Sequence, residues 1–265
     1  MFPRFTPILA TTFARTCALI ALAVCMASDA VATAPPSPPQ TEVRLGFGLP
    51  KPPYIMESEQ GGIEVEIAEQ ALAAVGGKMK AMYFPPARGL GMLKTSQIDG
   101  LMTTDEGIGG DYYFSDSYIV YQNVATTLTN RHINLQSIDD LSNYSVAGFQ
   151  NASVILGSHF NALVARHKDY KEYPYQLIQD NLLYSGRVDV VVGDRLIFRY
   201  FSAHMMPSID SSQPVTYHTI FPPNPRKVAF RNVELRDRFN AGLKIIRSNG
   251  TYDTILKKYQ QLMLP

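Results

Sequence analysis

Gly186-Arg187-Val188-Asp189-Val190-Val191-Val192-Gly193-Asp194 puts an aspartate at the mouth of an apolar strand, and Gln97-Ile98-Asp99-Gly100-Leu101-Met102-Thr103 does the same earlier in the chain. Each time a short helix gives way to a polar residue, then Ile or Val, then Asp, then a continuous apolar run of the kind that fills a buried strand. The match is too short to be an internal repeat. It predicts two lobes of similar topology, with one copy in each.

Reading outward from the earlier copy, Val43–Leu49 is a buried strand ended by Pro52-Pro53. After Gly61-Gly62, the apolar residues Ile63, Ile67, Ala71, Leu72 and Val75 recur at helical spacing, and Gly76-Gly77 closes that helix. A second strand, Lys80–Phe84, stops at Pro85-Pro86. A short helix over 87–94 then leads into the third strand, 98–103. Strands and helices that alternate at this length form right-handed βαβ units on a mostly parallel sheet. The pattern restarts after Phe114-Ser115-Asp116. A β-type run over Tyr118–Leu128 precedes a strand at 145–149, helices at 152–166 and 175–184, and a strand at 188–192. Beyond Pro222-Pro223-Asn224-Pro225, a strand at 227–230 leads to two amphipathic helices, the first carrying Leu235, Phe239, Leu243 and Ile246, the second Tyr252, Ile255, Leu256 and Tyr259. With no local surface to cover, both are expected to pack on the first lobe.

Composition limits the function. Among 265 residues, 24 Lys+Arg face 23 Asp+Glu, a balance that argues against a nucleic-acid partner. The first residues read as an export signal: Arg4 and Arg15, then the apolar run Cys17–Ala27, then small residues ending at Ala34. That run is shorter than the roughly 20 residues a spanning helix needs. A signal peptide over 1–34 and a Pro-rich leader over 35–42 are therefore expected, with a periplasmic location; lipidation at Cys25 is disfavoured because Val24 precedes it. Cleavage would remove both cysteines, Cys17 and Cys25, and with them any thiol chemistry. It would also remove Arg4, Arg15 and Asp29, leaving 22 basic against 22 acidic residues. The five histidines lack metal-ligand spacing, and no phosphate-cradling glycine loop or nucleophile elbow is present, so no cofactor and no metal are expected.

Five short motifs in order, Lys51-Pro52-Pro53-Tyr54, Gln97-Ile98-Asp99-Gly100, Phe114-Ser115-Asp116-Ser117-Tyr118, Gly186-Arg187-Val188-Asp189 through Gly193-Asp194, and Asn249-Gly250-Thr251-Tyr252, resemble the bacterial extracellular solute-binding proteins of family 3, the polar amino-acid type. The resemblance runs from about Val43 to Tyr259. It implies an α/β, two-lobed periplasmic-binding-protein-like fold of type II with two hinge crossovers, near Tyr121–Thr126 and Pro225–Phe230. Lobe 1 would comprise 43–122 and 227–265, and lobe 2 123–226. It implies a monomer that clamps a small polar, amino-acid-like solute between its lobes for an inner-membrane ABC permease.

The resemblance also implies the site. Tyr54 and Phe84 are the aromatics expected against the solute, and Arg88, at a helix start where the dipole disfavours a cation, is expected to meet an anionic group. Thr103 and Thr104 present strand-end polar groups. Gln150, Asn151 and Ser153 open a helix whose free N–H groups form a carboxylate seat. Asp194 is expected to receive an ammonium group, since a buried carboxylate needs a partner. Each has a plain structural reading too: core edge, solvated surface, or helix cap. Asp99 and Asp189 are expected to fix strand entry.

One departure stands out. Relatives that bind free α-amino acids carry an arginine shortly before the Phe-Ser motif, where it grips the carboxylate. Here Gly107 or Ile108 occupies that place. Two alternatives stay open: a dehydratase-like enzyme using Asp105, Glu106 or Asp194 as acid or base, and an orphan sensor.

Overall fold

A computed structural model describes residues 42–56, 61–205 and 208–261. The signal segment expected at 1–34 and all of the expected leader but Glu42 lie outside these residues.

The first stretch runs β1 (Glu42–Phe47), α1 (Ile63–Ala73), β2 (Lys78–Tyr83), α2 (Pro86–Lys94), β3 (Gly100–Thr104), β4 (Tyr113–Phe114) and β5 (Ile119–Tyr121). The second runs β6 (Asn123–Leu128), β7 (Val146–Phe149), α3 (Ala152–Ile155), α4 (Ser158–Val164), β8 (Tyr170–Tyr173), α5 (Gln176–Tyr184), β9 (Val190–Asp194), α6 (Arg195–Ala203) and β10 (Val215–His218). The chain returns through β11 (Asn224–Phe230) to α7 (Val233–Ser248) and α8 (Thr251–Gln261). One sheet has the order β2-β1-β3-β11-β4, with β5 also on β11; the other is β10-β6-β9-β7-β8. Parallel pairs β1–β2, β1–β3, β7–β8 and β7–β9 carry the βαβ units, and antiparallel β11 and β6 close them.

The two aspartate-led strands occupy matching places. Asp99 accepts from the Arg44 backbone N–H at 2.9 Å, and Asp189 from that of Ser145 at 3.1 Å, so each carboxylate ties the entry of one strand to its neighbour. Burial opposes ionisation of Asp99, but the Arg44 guanidinium and N–H hold its carboxyl below the usual carboxylate range.

Three elements differ from the sequence reading. The single β-run over 118–128 is two strands in different sheets, because Tyr121 pairs with Asn224 while Asn123 pairs with Asp194. The helix expected at 152–166 breaks at Gly157, whose φ of 94° lies outside the helical region. The second crossing falls between His218 and Asn224, ahead of the Pro225–Phe230 hinge and the 226/227 boundary expected; residues 224–226 pair with β5 and so belong to the first sheet.

The first lobe's core joins Leu45, Phe47, Ile67, Leu72 and Phe230 to Phe239 and Leu243 of α7 and Ile255 of α8, so the last two helices do pack there. The α1–α7 approach is very close: a Cβ on Gly242 would fall 1.8 Å from the Ala71 carbonyl oxygen. The second lobe centres on Val146, Phe160, Val190, Val192 and Phe221. Among the described residues no helix is long and apolar enough to cross a membrane.

Candidate functional site

The crossings are tied to each other. The Gln122 side-chain amide donates to the Phe221 carbonyl at 3.0 Å, and the Gln122 backbone N–H donates to Asp194 Oδ2 at 2.9 Å. Beside them lies a cavity of about 210 Å³ lined from both lobes. Lobe 1 supplies Lys51, Tyr121 and Arg226. Lobe 2 supplies the polar residues Asn123, Gln176 and Asp194 and the apolar residues Phe149, Ile155 and Ile197.

Tyr121 is the floor. Tyr54 stacks on it with ring centroids 3.9 Å apart, while Lys51 Nζ and Arg226 Cζ lie 4.6 and 5.6 Å from its centroid. Beneath it Glu64, 0% exposed, accepts from the hydroxyls of Tyr118, Tyr121 and Thr103. The Thr103 backbone N–H, at a residue with φ of 58°, donates to the Tyr118 hydroxyl at 3.0 Å. Burial and the Glu64 charge drive both tyrosines well above the usual phenol range, so they stay neutral donors.

Asp194 ends β9 and caps α6. Its carboxylate accepts from the N–H groups of Gln122, Leu196 and Ile197 and from the Tyr54 hydroxyl. Burial still raises its carboxyl above the ordinary value. The sequence reading required a cation to answer this carboxylate; neutral donors answer it instead, because helix capping and the facing lobe supply them.

The cations of the cavity are less satisfied. Arg226 gives one terminal nitrogen to Asp105 Oδ2 at 2.9 Å, but its Nε is buried without a partner. The Lys51 ammonium makes no hydrogen bond or ion pair among the described residues, and burial lowers its pKa below the ordinary value.

The other expected positions lie elsewhere. Phe84 is buried against Leu93, Ile98 and Leu101, and exposed Arg88 sits over its ring at 5.7 Å, an aromatic face that accounts for a cation at this helix start. Neither lines the cavity. Thr104 is buried and donates to the Lys227 carbonyl at 2.9 Å; Thr103 belongs to the Glu64 network. At Gln150-Asn151-Ala152-Ser153 the Glu172 carboxylate accepts from the Asn151 and Ser153 N–H groups at 2.6 and 2.8 Å. This chain's own acid thus fills the carboxylate seat expected for a solute, held down in pKa by those bonds and by Tyr170 against the effect of burial. Asp105 and Glu106 pair with Arg226 and Lys227.

Lys51, Tyr121, Asn123, Phe149, Gln176 and Arg226 were not singled out from sequence. Lys51 stands in a quoted motif, and Tyr121 and Asn123 in the expected first hinge. Arg226 stands in the expected second hinge; Phe149 and Gln176 carry no local signal, since the two-lobed pairing alone brings them to the cavity. Among the described residues no group of His, Cys, Asp and Glu could hold a metal ion.

Two α/β lobes crossed twice by one chain, with a polar cavity where they meet, define a two-lobed solute-binding protein. The chain belongs to the bacterial extracellular solute-binding proteins, family 3, whose family model matches residues 43–261. No curated protein sequence matches it. Among solved structures it is similar to an ancestral arginine-binding protein bound to glutamine, at 24% identity and a TM-score of 0.59, over 83% of this chain and 98% of that one. It is also similar to the substrate-binding protein AbpA of an amino acid ABC transporter from Streptococcus pneumoniae, bound to L-arginine, at 15% identity and a TM-score of 0.61, over 84% and 96%. A histidine kinase sensor domain is similar at 19% identity and a TM-score of 0.63, over 83% and 96%. At these identities the likeness concerns the fold.

Proposed function

We propose that the protein captures a small polar solute in the cavity between its lobes, outside the cytoplasm and as a monomer, and delivers it to an inner-membrane ABC permease. The observation that carries this reading is Arg226, which lines the cavity with its Nε buried and unpartnered; a buried donor of this kind implies an acceptor that arrives from outside. Family membership supports capture, and the transporter-associated proteins among the similar structures support delivery. The reading is non-enzymatic, because the candidate acids are committed: Asp194 to four donors, Asp105 and Glu106 to ion pairs. The expected signal over 1–34 supports export, and N-terminal sequencing of the exported protein tests it.

A thermal-shift screen over amino acids, organic acids, amines and sugars tests capture. A solute at 100 times its dissociation constant adds about 2.7 kcal/mol of stability. Recovery of that solute at unchanged mass is expected; turnover would exclude the binding-only reading.

A further inference from the structure

We propose that the solute is a carboxylate with an apolar body, an aryl or alkyl acid, and not an α-amino acid, its anionic end seated between Lys51 and Arg226. This inference rests on capture in the interlobe cavity and names the class of solute taken there.

Three observations converge. First, the charged hydrogen-bonding capacity left in the cavity is one-sided, while the Asn123 and Gln176 amides offer donor and acceptor alike. Each carboxylate near it is already answered by the protein: Asp194 by four donors, Glu64 by three hydroxyls, Asp105 by Arg226. Donors remain, in the Lys51 ammonium and Arg226 Nε. An ammonium group entering here would find no unused charged acceptor, whereas a carboxylate would find two unused charged donors.

Second, the two places an α-amino acid's carboxylate would occupy by resemblance are closed to it. Gly107 and Ile108 offer no guanidinium, and Glu172 fills the N–H seat at Asn151 and Ser153.

Third, apart from the Asn123 and Gln176 amides and the engaged Asp194 carboxylate, the lobe 2 side of the cavity is apolar, and the space continues outward. Phe149, Ile155 and Ile197 form the lobe 2 wall. Past Lys51, Gln176 and Ile197, which both spaces share, opens a groove of about 570 Å³ flanked by Leu177, Ile178 and Phe201. Tyr175 at its edge is 70% exposed and Ile155 51%, large apolar surface that a hydrocarbon body would cover.

The test is titration calorimetry with thermal shift on the full mature protein, using benzoate, phenylacetate and hexanoate as probes. Benzamide and hexylamine serve as uncharged and cationic counterparts, and L-arginine and L-glutamine as amino acids. At least one of the three acids is expected to raise the melting temperature by several degrees, with its amide or amine counterpart inert. Lys51→Met and Arg226→Gln are each expected to weaken that acid tenfold or more, and Arg88→Ala to leave it unchanged. Circular dichroism confirms that each variant is folded, and Lys51→Arg is expected to retain binding. Acids that leave the protein unmoved, benzamide binding as well as benzoate, or acid binding that survives both substitutions would overturn the proposal. If L-arginine or L-glutamine then binds, capture stands and the solute class alone is wrong; if nothing in the wider screen binds, capture fails with it.

Discussion

The Tyr54 hydroxyl lies 3.0 and 3.1 Å from the two carboxylate oxygens of Asp194, joining lobe 1 to lobe 2 across 140 residues of sequence. Both partners are buried, and the tyrosine ring also rests on Tyr121, so the bond is formed where water competes little.

Tyr54→Phe keeps the ring stack and removes this bond. A hydrogen bond to a charged acceptor contributes about 1.5–3 kcal/mol, and about 1.4 kcal/mol is a tenfold change in an equilibrium. The variant is expected to populate a more open form, seen as a larger radius of gyration in small-angle X-ray scattering. An unchanged radius would show that other contacts hold the lobes.

Glu64 carries a second test. Glu64→Leu leaves the hydroxyls of Tyr118, Tyr121 and Thr103 without their acceptor in a buried site, and each orphaned group costs about 1–3 kcal/mol. Urea unfolding is expected to show a loss of at least about 3 kcal/mol. Glu64→Gln keeps one acceptor oxygen and is expected to lose less.

Asp180 on α5 is 2% exposed and meets one donor, Ser202 Oγ at 3.2 Å. Burial pushes its carboxyl well above the usual range. The folded state therefore holds this proton to higher pH than the unfolded chain does, and stability falls as pH rises from the ordinary value of 3.8 through the raised one. Asp180→Asn removes that slope. Its urea midpoint at neutral pH is expected to exceed that of the parent, with the difference vanishing at acid pH; equal midpoints at neutral pH would count against a costly buried charge.

Gly242→Ala probes the α1–α7 contact. The added methyl group meets backbone at 1.8 Å, which no side-chain rotation relieves. A loss at or above the roughly 1–3 kcal/mol typical of overpacking is expected in the same urea assay. A mild effect would mean that α7 shifts easily on the lobe.

Much of the fold was legible because its signals are local. Periodicity gave α1, α7 and α8, and the aspartate-led strands gave β3 and β9 and their equivalent places. Strand propensity did not divide 118–128 between two sheets, because it is the same on either side of Gln122; the 122/123 boundary came from the resemblance alone, and the distant partners Asn224 and Asp194 make the separation. The site divides the same way. Resemblance pointed to Tyr54 and Asp194, which do meet, and Asp194 lines the cavity; that helix capping and Tyr54 also engage its carboxylate was not legible. Glu172 filling the N–H seat, and Arg226 facing lobe 2, depend on tertiary pairing that no window of sequence contains.

Tyr121 is the last residue of β5, and the next residue already belongs to the crossing. The ring beneath the cavity is thus mounted on the pivot itself. Any torsion at 121–123 that parts the lobes leaves that ring with Lys51 and Arg226, which share its lobe, and separates all three from the apolar wall opposite. Parting the lobes thus divides the grip in two: the charged floor travels with one half and the apolar wall with the other, and a solute that touches both loses one set of contacts in the open form.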